Sequence, residues 1–464
     1  MKKYRVQSLC FFNIGKELLH LEKNRDKCYI FRYNGNNKRV IKMLEKITET
    51  EFNEFAQVHP HNIFFQSSYW GHLKEFTGWK SHLLGYKENG ILVAATLFLS
   101  KQLPVIQKSM FYAPRGFLID YENQQLVKNF VDKIKVYVKQ QGGIFFKINP
   151  YLMYQERDVD GNIVEHGIEH KDVVTYLKHL GFVHNGLTVT YGIDLEPRWI
   201  SVLDLEGKDE ESLLAEMRPT TRLGIRSSYK HGLILTEIDE TRISEYKALM
   251  EHTCERRGFL DRSLEYYQKM YESFHPTDDI KIMLVELDVE HYLNELNNAK
   301  IELLEKMEPL KESSGAKAKR QCKEYVTQLQ QHEKRIQELE QIKAEKGSKI
   351  VLAGGVFMTY GTQVVSLFGA SYREYMKFNG QYFLNFEMIK YALQHGYKKY
   401  NFFGITGEFN EDSPMYGLFD FKRGFHAKVV ELIGEFNYIV SPGWYRIYQT
   451  MFFVYRKLKK GGLK

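Results

Sequence analysis

A mixed α/β (α+β) protein, built from two units of similar layout and interrupted by a helical hairpin, is what the 464-residue sequence predicts. Three observations predict it. The chain is longer than one hydrophobic core usually serves, so two or three domains are expected. The order hairpin, short segment, helix, glycine stop, strand occurs twice. A long charged stretch with three-and-four apolar spacing stands where the second copy should have only a turn.

Residues 1–42 are irregular and basic, with early charges that break every apolar run, and they show no cleavage-like small residues, so no signal peptide is read there. They are expected to form an extension outside the domains, and the fold is expected to start near Met43 with a short helix in "MLEKITETEFNEFAQVHP". In the first unit, 43–187, "SHLLGY" and "ILVAATLFLS" form a hairpin about "KENG". "FYAPRGF" follows, then a helix over about 122–140, a Gly-Gly stop and the strand "IFFKINP". The second unit, 188–288 with 347–435, repeats this order. "IKIMLVELD" and "IVLAGGVFMTY" pair with "TQVVSLFGAS", a helix spans about 381–395, Gly396 stops it, and "YKKYNFFGI" is the next strand.

Between the first two strands of the second unit lies an insertion, 289–346. Leu293, Leu296, Leu303, Met307 and Leu310 keep three-and-four spacing, with Lys300 filling the missing position. "ESSGAK" breaks the pattern, and Val326, Leu329, Ile336 and Leu339 resume it. The reading is an antiparallel hairpin in coiled-coil style on a hairpin tip, where insertion costs least. A solvated spacer, a dimerisation element and an RNA-contacting arm all fit it.

The totals exclude several classes. No apolar run approaches the roughly eighteen residues of a spanning helix. Cys10, Cys28, Cys254 and Cys322 lie far apart, in neither a disulfide framework nor a zinc spacing, which fits a reducing cytoplasm. There is no phosphate-binding glycine loop, nucleophile elbow or metal-ligand cluster, so no cofactor or metal is expected and covalent catalysis has no named residue. A net charge of +7 hints at polyanionic partners.

Four stretches carry candidate chemistry. In "MRPTTRLGIRSSYKHG", Pro219 suits the first turn of a helix and Gly232 its end. Arg222, Arg226 and Lys230 then recur on one face beside Tyr229, with Arg218 just ahead. Like charges at this spacing repel, and an external phosphate or diphosphate would relieve them; a solvated cationic face is the plainer reading. In "FFQSSYWGHLKEFTGWK", Ser67 or Ser68 caps a helix that sets Lys74 one turn after Trp70. "FYAPRGFLID" puts Tyr112, Arg115 and Asp120 near a strand-to-helix junction, with Asp120 either a base or a turn residue. "GLFDFKRGFHA", read as a strand, places Phe419 and Phe421 on one face and Asp420 and Lys422 on the other.

These stretches, with "ERRGFLDRSLEYYQKMYE", "GASYREY" and "IGEFNY", resemble in order the Fem (FemABX) peptidoglycan-bridge aminoacyltransferases over nearly everything from Met43 onward. Within the family the chain is most similar to the FmhB/FemX-type lipid II:glycine glycyltransferases. The resemblance implies two GNAT-like (acyl-CoA N-acyltransferase-like) domains, the first completed by about 436–464. The implied reaction moves an amino acid, glycine first and alanine or serine otherwise, from aminoacyl-tRNA to the stem-peptide lysine amine of lipid II or UDP-MurNAc-pentapeptide. Lys74 and the Arg222/Arg226 helix with Tyr229 match the region holding the substrate's diphosphate and sugar, Tyr112 a tyrosine lining that cleft, and Lys422 with Phe421 the catalytic pair. At "VSLFGAS", Ser366 and Phe368 stand where relatives often show tyrosines. The basic tail "YRKLKKGGLK" is either a peripheral contact with anionic lipid or a solvated end. Two other readings compete: an acyl-CoA-dependent N-acyltransferase on the same fold, and a non-catalytic RNA-binding or scaffold protein that uses the helical arm.

Overall fold

The computed structural model describes the backbone of residues 10–14, 17–24, 27–34, 42–104, 106–190, 196–311 and 315–461, and side chains from 42 to 452 within those ranges. One compact unit comprises 1–43 and the tip 87–91. It contains an antiparallel meander, Cys10–Ile14, Glu17–Asn24 and Lys27–Asn34, in the stretch expected to be an irregular extension.

The other unit, 44–86 with 92–464, carries the site. Its first sheet runs in the order Phe182–His184, Phe436–Ile439, Gly143–Ile148, Ser109–Ala113, Ile91–Gln102, Lys80–Glu88, Lys42–Lys46. The second runs Leu233–Glu237, Ile280–Asp288, Lys349–Tyr360, Gln363–Ser371, Lys399–Ile405, Trp199–Asp204, Lys428–Leu432, Met153–Glu156. Each sheet contains one parallel pair bridged by a helix: Ser109–Ala113 with Gly143–Ile148 through Gln124–Gln140, and Gln363–Ser371 with Lys399–Ile405 through Gly380–Gln394. Such a pair needs a crossover, which is why the helix falls between the strands in both halves. Phe52, Phe64, Phe65, Trp70 and Leu97 pack in one core with Tyr246, Tyr267, Leu284, Met358 and Tyr360, so apolar burial ties the two sheets together.

Local chemistry sets the helix ends. Ser67 accepts from Trp70 N at 3.1 Å and starts Ser68–Phe76. Pro219 opens Pro219–Lys230, and Gly232 follows its end at φ +64°. The insertion forms two helices, Val289–Lys311 and Ala316–Lys346. Ion pairs Lys300–Glu333 (2.8 Å) and Lys343–Glu290 (2.9 Å) fix them antiparallel. Leu293, Leu296, Leu303, Met307 and Leu339 are buried, whereas Val326 is exposed.

One element corrects the sequence reading: 416–424 is a helix, not a strand. A three-residue step therefore brings Phe419 and Lys422 to the same buried side, while Phe421 turns towards Tyr382 and Phe425, ring centroids 5.1 and 5.3 Å away.

Candidate functional site

Lys422, on helix Tyr416–Gly424, packs against the second sheet. Strand Lys399–Ile405 bulges opposite Ser201 and Val202, with Phe403 at φ +62°. A left-handed phenylalanine is costly and must be held in place. The side-chain oxygen of Asn401 does so by accepting from Phe403 N at 2.8 Å. The bulge turns two carbonyls towards the helix, and Lys422 Nζ donates to those of Gly404 (2.7 Å) and Phe403 (3.3 Å). The lysine is 6 % exposed, with no carboxylate in ion-pair reach among the described residues. Burial drives its pKa down to about 7.

Lys74 stands at the other side of an aromatic partition. Its Nζ lies 4.5 Å over the Trp70 ring, Trp70 meets Phe65 edge-on at 4.7 Å, and Phe65 stacks on Phe403 at 6.0 Å. Burial lowers the Lys74 pKa; Glu196 opposes that shift, and Arg262 and Lys101 add to it. Glu196 is raised by burial against the pull of Arg115, Lys74 and Arg262. Three cations, Arg115, Lys74 and Arg262, thus act on one half-buried carboxyl, with the Arg262 guanidinium 5.3 Å over Tyr266. Burial pushes the Tyr266 phenol up to about 12.

Asn149 joins the strand end to this cluster by accepting from Arg115 N (2.8 Å) and Tyr112 OH (3.2 Å). Arg115 is buried and donates to Pro197 O at 2.7 Å. Tyr151 N donates to Arg115 O at 3.2 Å, and Asn401 Nδ2 donates to the Tyr151 hydroxyl at 3.1 Å. A continuous path therefore runs from Arg115 through Tyr151 and Asn401 to the carbonyl that holds Lys422. Tyr112, Arg115 and Lys422 lie along this path, and Trp70 and Lys74 connect to it through the Phe65 and Phe403 rings.

Other expected residues do different work. Arg222 Nη1 donates to Leu214 O (3.3 Å), Ala215 O (3.0 Å) and Met217 O (3.0 Å), capping the end of helix Glu210–Glu216. Arg218 pairs with Asp420 at 2.7 Å, so the fold itself relieves half of the cationic row. The Tyr229 hydroxyl donates to Glu387, with Lys390 5.2 Å over its ring. Arg226 and Lys230 stay exposed, without an ion pair among the described residues. Asp120 accepts from Glu122 N at 3.0 Å, as a turn carboxylate does, and Phe421 packs aside from Lys422. The row does touch the lysine helix: Arg218 N donates to Gly424 O at 3.0 Å.

Sequence reasoning missed Arg262, Tyr266, Glu196 and Asn401. Arg262 and Tyr266 are four apart at the start of helix Leu264–Phe274, a cation–aromatic spacing like that of Trp70 and Lys74. Among the described residues, no group of three His, Cys, Asp or Glu side chains could hold a metal ion.

Comparison with known proteins places this architecture. The FemAB family model matches residues 47–452. The Staphylococcus epidermidis protein named aminoacyltransferase FemA is 31 % identical over 422 residues, which is 89 % of this chain and 99 % of that one. A Staphylococcus aureus protein of the same name is 31 % identical over 414 residues, 87 % of this chain and 97 % of its own. The crystal structure of FemX superposes with a TM-score of 0.73 at 27 % identity, covering 87 % of this chain and 99 % of that one. A match of this extent, over the residues that carry both lysines, makes the chain a member of the FemAB family.

Proposed function

We propose that the protein is an aminoacyltransferase of peptidoglycan-bridge formation, moving an amino acid from aminoacyl-tRNA to the stem-peptide lysine amine of lipid II or its UDP-linked precursor. The observation that carries this reading is a buried lysine without an acid partner among the described residues, in a chain whose relatives are named aminoacyltransferases over nearly their whole length. Glycine is the first expectation for the donated residue, with alanine or serine next.

The acceptor amine has an ordinary pKa near 10.4, so roughly one in a few thousand is neutral at pH 7. The neutral amine attacks the ester carbonyl and a C–N bond forms. The carbonyl oxygen takes up negative charge, the C–O bond to the tRNA ribose breaks, and the ribose oxygen leaves with the proton shed by the amine. Lys422 is assigned to stabilise that oxyanion as an ammonium, and its burial supports the role because low-dielectric surroundings strengthen the interaction. Lys74 and Arg262 are assigned to the acceptor's diphosphate, because half-buried Lys74, exposed Arg262 and buried Arg115 all act on a single carboxyl and leave positive charge unmatched. Tyr112 and Arg115 shape the wall between them. The unit boundaries proposed for this reading are 43–187 with 436–464, and 188–288 with 347–435, carrying the arm 289–346, with the reaction on the cytoplasmic side of the membrane.

The test is transfer of label from a panel of aminoacyl-tRNAs to lipid II and to the UDP-linked precursor by the purified protein. Transfer from one or more tRNAs supports the reading. Transfer from an acyl-CoA alone replaces it with acyl-CoA-dependent chemistry, and binding of RNA without transfer makes the protein a scaffold.

A further inference from the structure

The helix Ile243–Arg257 ends on Gly258, left-handed at φ +73°, and the next helix starts at Leu264 behind a Ser263 cap. The short loop between them is pinned on both sides. Phe259 N donates to Cys254 O at 3.2 Å, and Asp261 accepts from Lys247 Nζ (2.7 Å) and from the Tyr267 hydroxyl (2.9 Å). Between the pins, Leu260 is 97 % exposed and Phe259 49 % exposed. A single exposed leucine is ordinary, but an adjacent leucine and phenylalanine held out on an anchored loop cost solvation that a lone loop has no reason to bear. Arg257 and Arg262 flank the pair and are exposed; Arg256 is tied to Ser371 O at 3.3 Å. The nearby acids are Asp261, spent on Lys247, and Glu255 and Glu265 on the flanking helices.

Arg262 is also the cation that shares the field of Lys74 and Glu196. Two residues of chain span at most about 7 Å, which is close to the depth of one headgroup layer of a bilayer, about 5–7 Å. A tip that enters the acyl boundary therefore leaves Arg262 at the level of lipid phosphates. From this juxtaposition we infer that the loop Gly258–Ser263 is a membrane-docking prong: Phe259 and Leu260 enter an anionic bilayer, and Arg257 and Arg262 stay among its phosphates. The inference rests on the reading of the acceptor as a lipid-linked diphosphate, which must be met at that depth.

The experiment floats the full-length protein with vesicles of phosphatidylcholine alone or mixed with phosphatidylglycerol, and compares wild type with the double variant Phe259→Ser/Leu260→Ser. Wild type should partition onto the anionic vesicles and release in high salt. The double variant should bind about tenfold less or worse, with Tm lowered by no more than a few degrees, because Leu260 is already in water and Phe259 is half exposed. Equal partitioning of the two proteins, or no binding by wild type, overturns the inference. A second arm measures transfer to the acceptor in vesicles and to a water-soluble acceptor with the same diphosphate. The variant should lose the first by about tenfold and keep the second; equal loss on both would put the loop in the reaction site instead. Failure of wild type to transfer to either acceptor sinks the functional reading alone, since flotation still decides the prong.

Discussion

Lys281 and Lys422 are buried to nearly the same degree, 8 % and 6 % exposed, and the fold treats them in opposite ways. Lys281 lies 2.6 Å from Asp278 and 3.1 Å from Glu237. Burial pulls its pKa down, and the two carboxylates more than reverse the shift, leaving it raised. Among the described residues Lys422 meets only carbonyl oxygens, and burial alone carries it down to about 7. Depth is thus not what marks a functional cation. A structural lysine brings its counter-charge within the chain, whereas one held without it costs stability and is free to meet charge that arrives with a substrate.

The comparison breaks first on activity. Lys422→Met should lower turnover by on the order of 10²–10³ with acceptor binding little changed, while Lys281→Met stays within a few-fold of wild type; steady-state transfer assays on both decide it. If the two variants lose activity equally, partner chemistry does not separate their roles.

Stability sharpens it next, with opposite signs. The unfolded state holds the Lys422 proton up to pH 10.5 and the folded state only to about 7, so wild-type stability rises with pH across that window. Lys422→Met keeps the length and removes the charge, so it should be more stable near and below neutrality by a few kcal/mol, the full shift being worth at most about 5. The gap should close as pH rises. Lys281 has a raised folded pKa, so its contribution is fully present near neutrality and lost only above 10.5. Lys281→Met should cost about 1 kcal/mol, because both carboxylates are largely exposed. Urea melts between about pH 6 and pH 9 check both slopes.

A weaker contrast lies between two arginines. Arg262→Ala should weaken acceptor binding roughly 10- to 100-fold, the worth of a charge-assisted hydrogen bond. Arg222→Ala should leave affinity alone and lower stability by about 1 kcal/mol through the lost helix cap; titration calorimetry and thermal melts separate these outcomes. Smallest is Asn401→Ala, which frees Phe403 N and loosens the bulge carbonyls. Turnover should fall about tenfold with KM preserved, and the pH limb set by Lys422 should move. An unmoved limb would make Asn401 merely structural.

Much of the fold was legible because periodicity and turn chemistry are local. The two βαβ crossovers, the Ser67 cap, Pro219 at a helix start and the helical hairpin all follow from spacing within a few residues of chain. The lysine helix was misread because "FDFK" alternates as a strand does, and only the tertiary environment makes the three-residue step from Phe419 to Lys422 the buried one. The arginine row is legible only in part for a similar reason: its repulsion is visible in sequence, but the carbonyls of Leu214, Ala215 and Met217 and the carboxylate of Asp420 that take up Arg222 and Arg218 come from other elements, and Arg226 and Lys230 stay exposed. Arg262 and Glu196 were invisible because their meeting with Lys74 joins three distant segments.

The central claim is that Lys422 acts as a cation whose charge is poised near neutrality by burial. The most direct test is the ratio of kcat/KM for wild type to that for Lys422→Met, followed from about pH 6 to pH 9, since the ratio removes the titration of the acceptor amine common to both. A ratio that is large at low pH and falls as pH passes about 7 is the predicted result. A ratio that rises with pH would make the neutral amine the acting form, and would contradict the account.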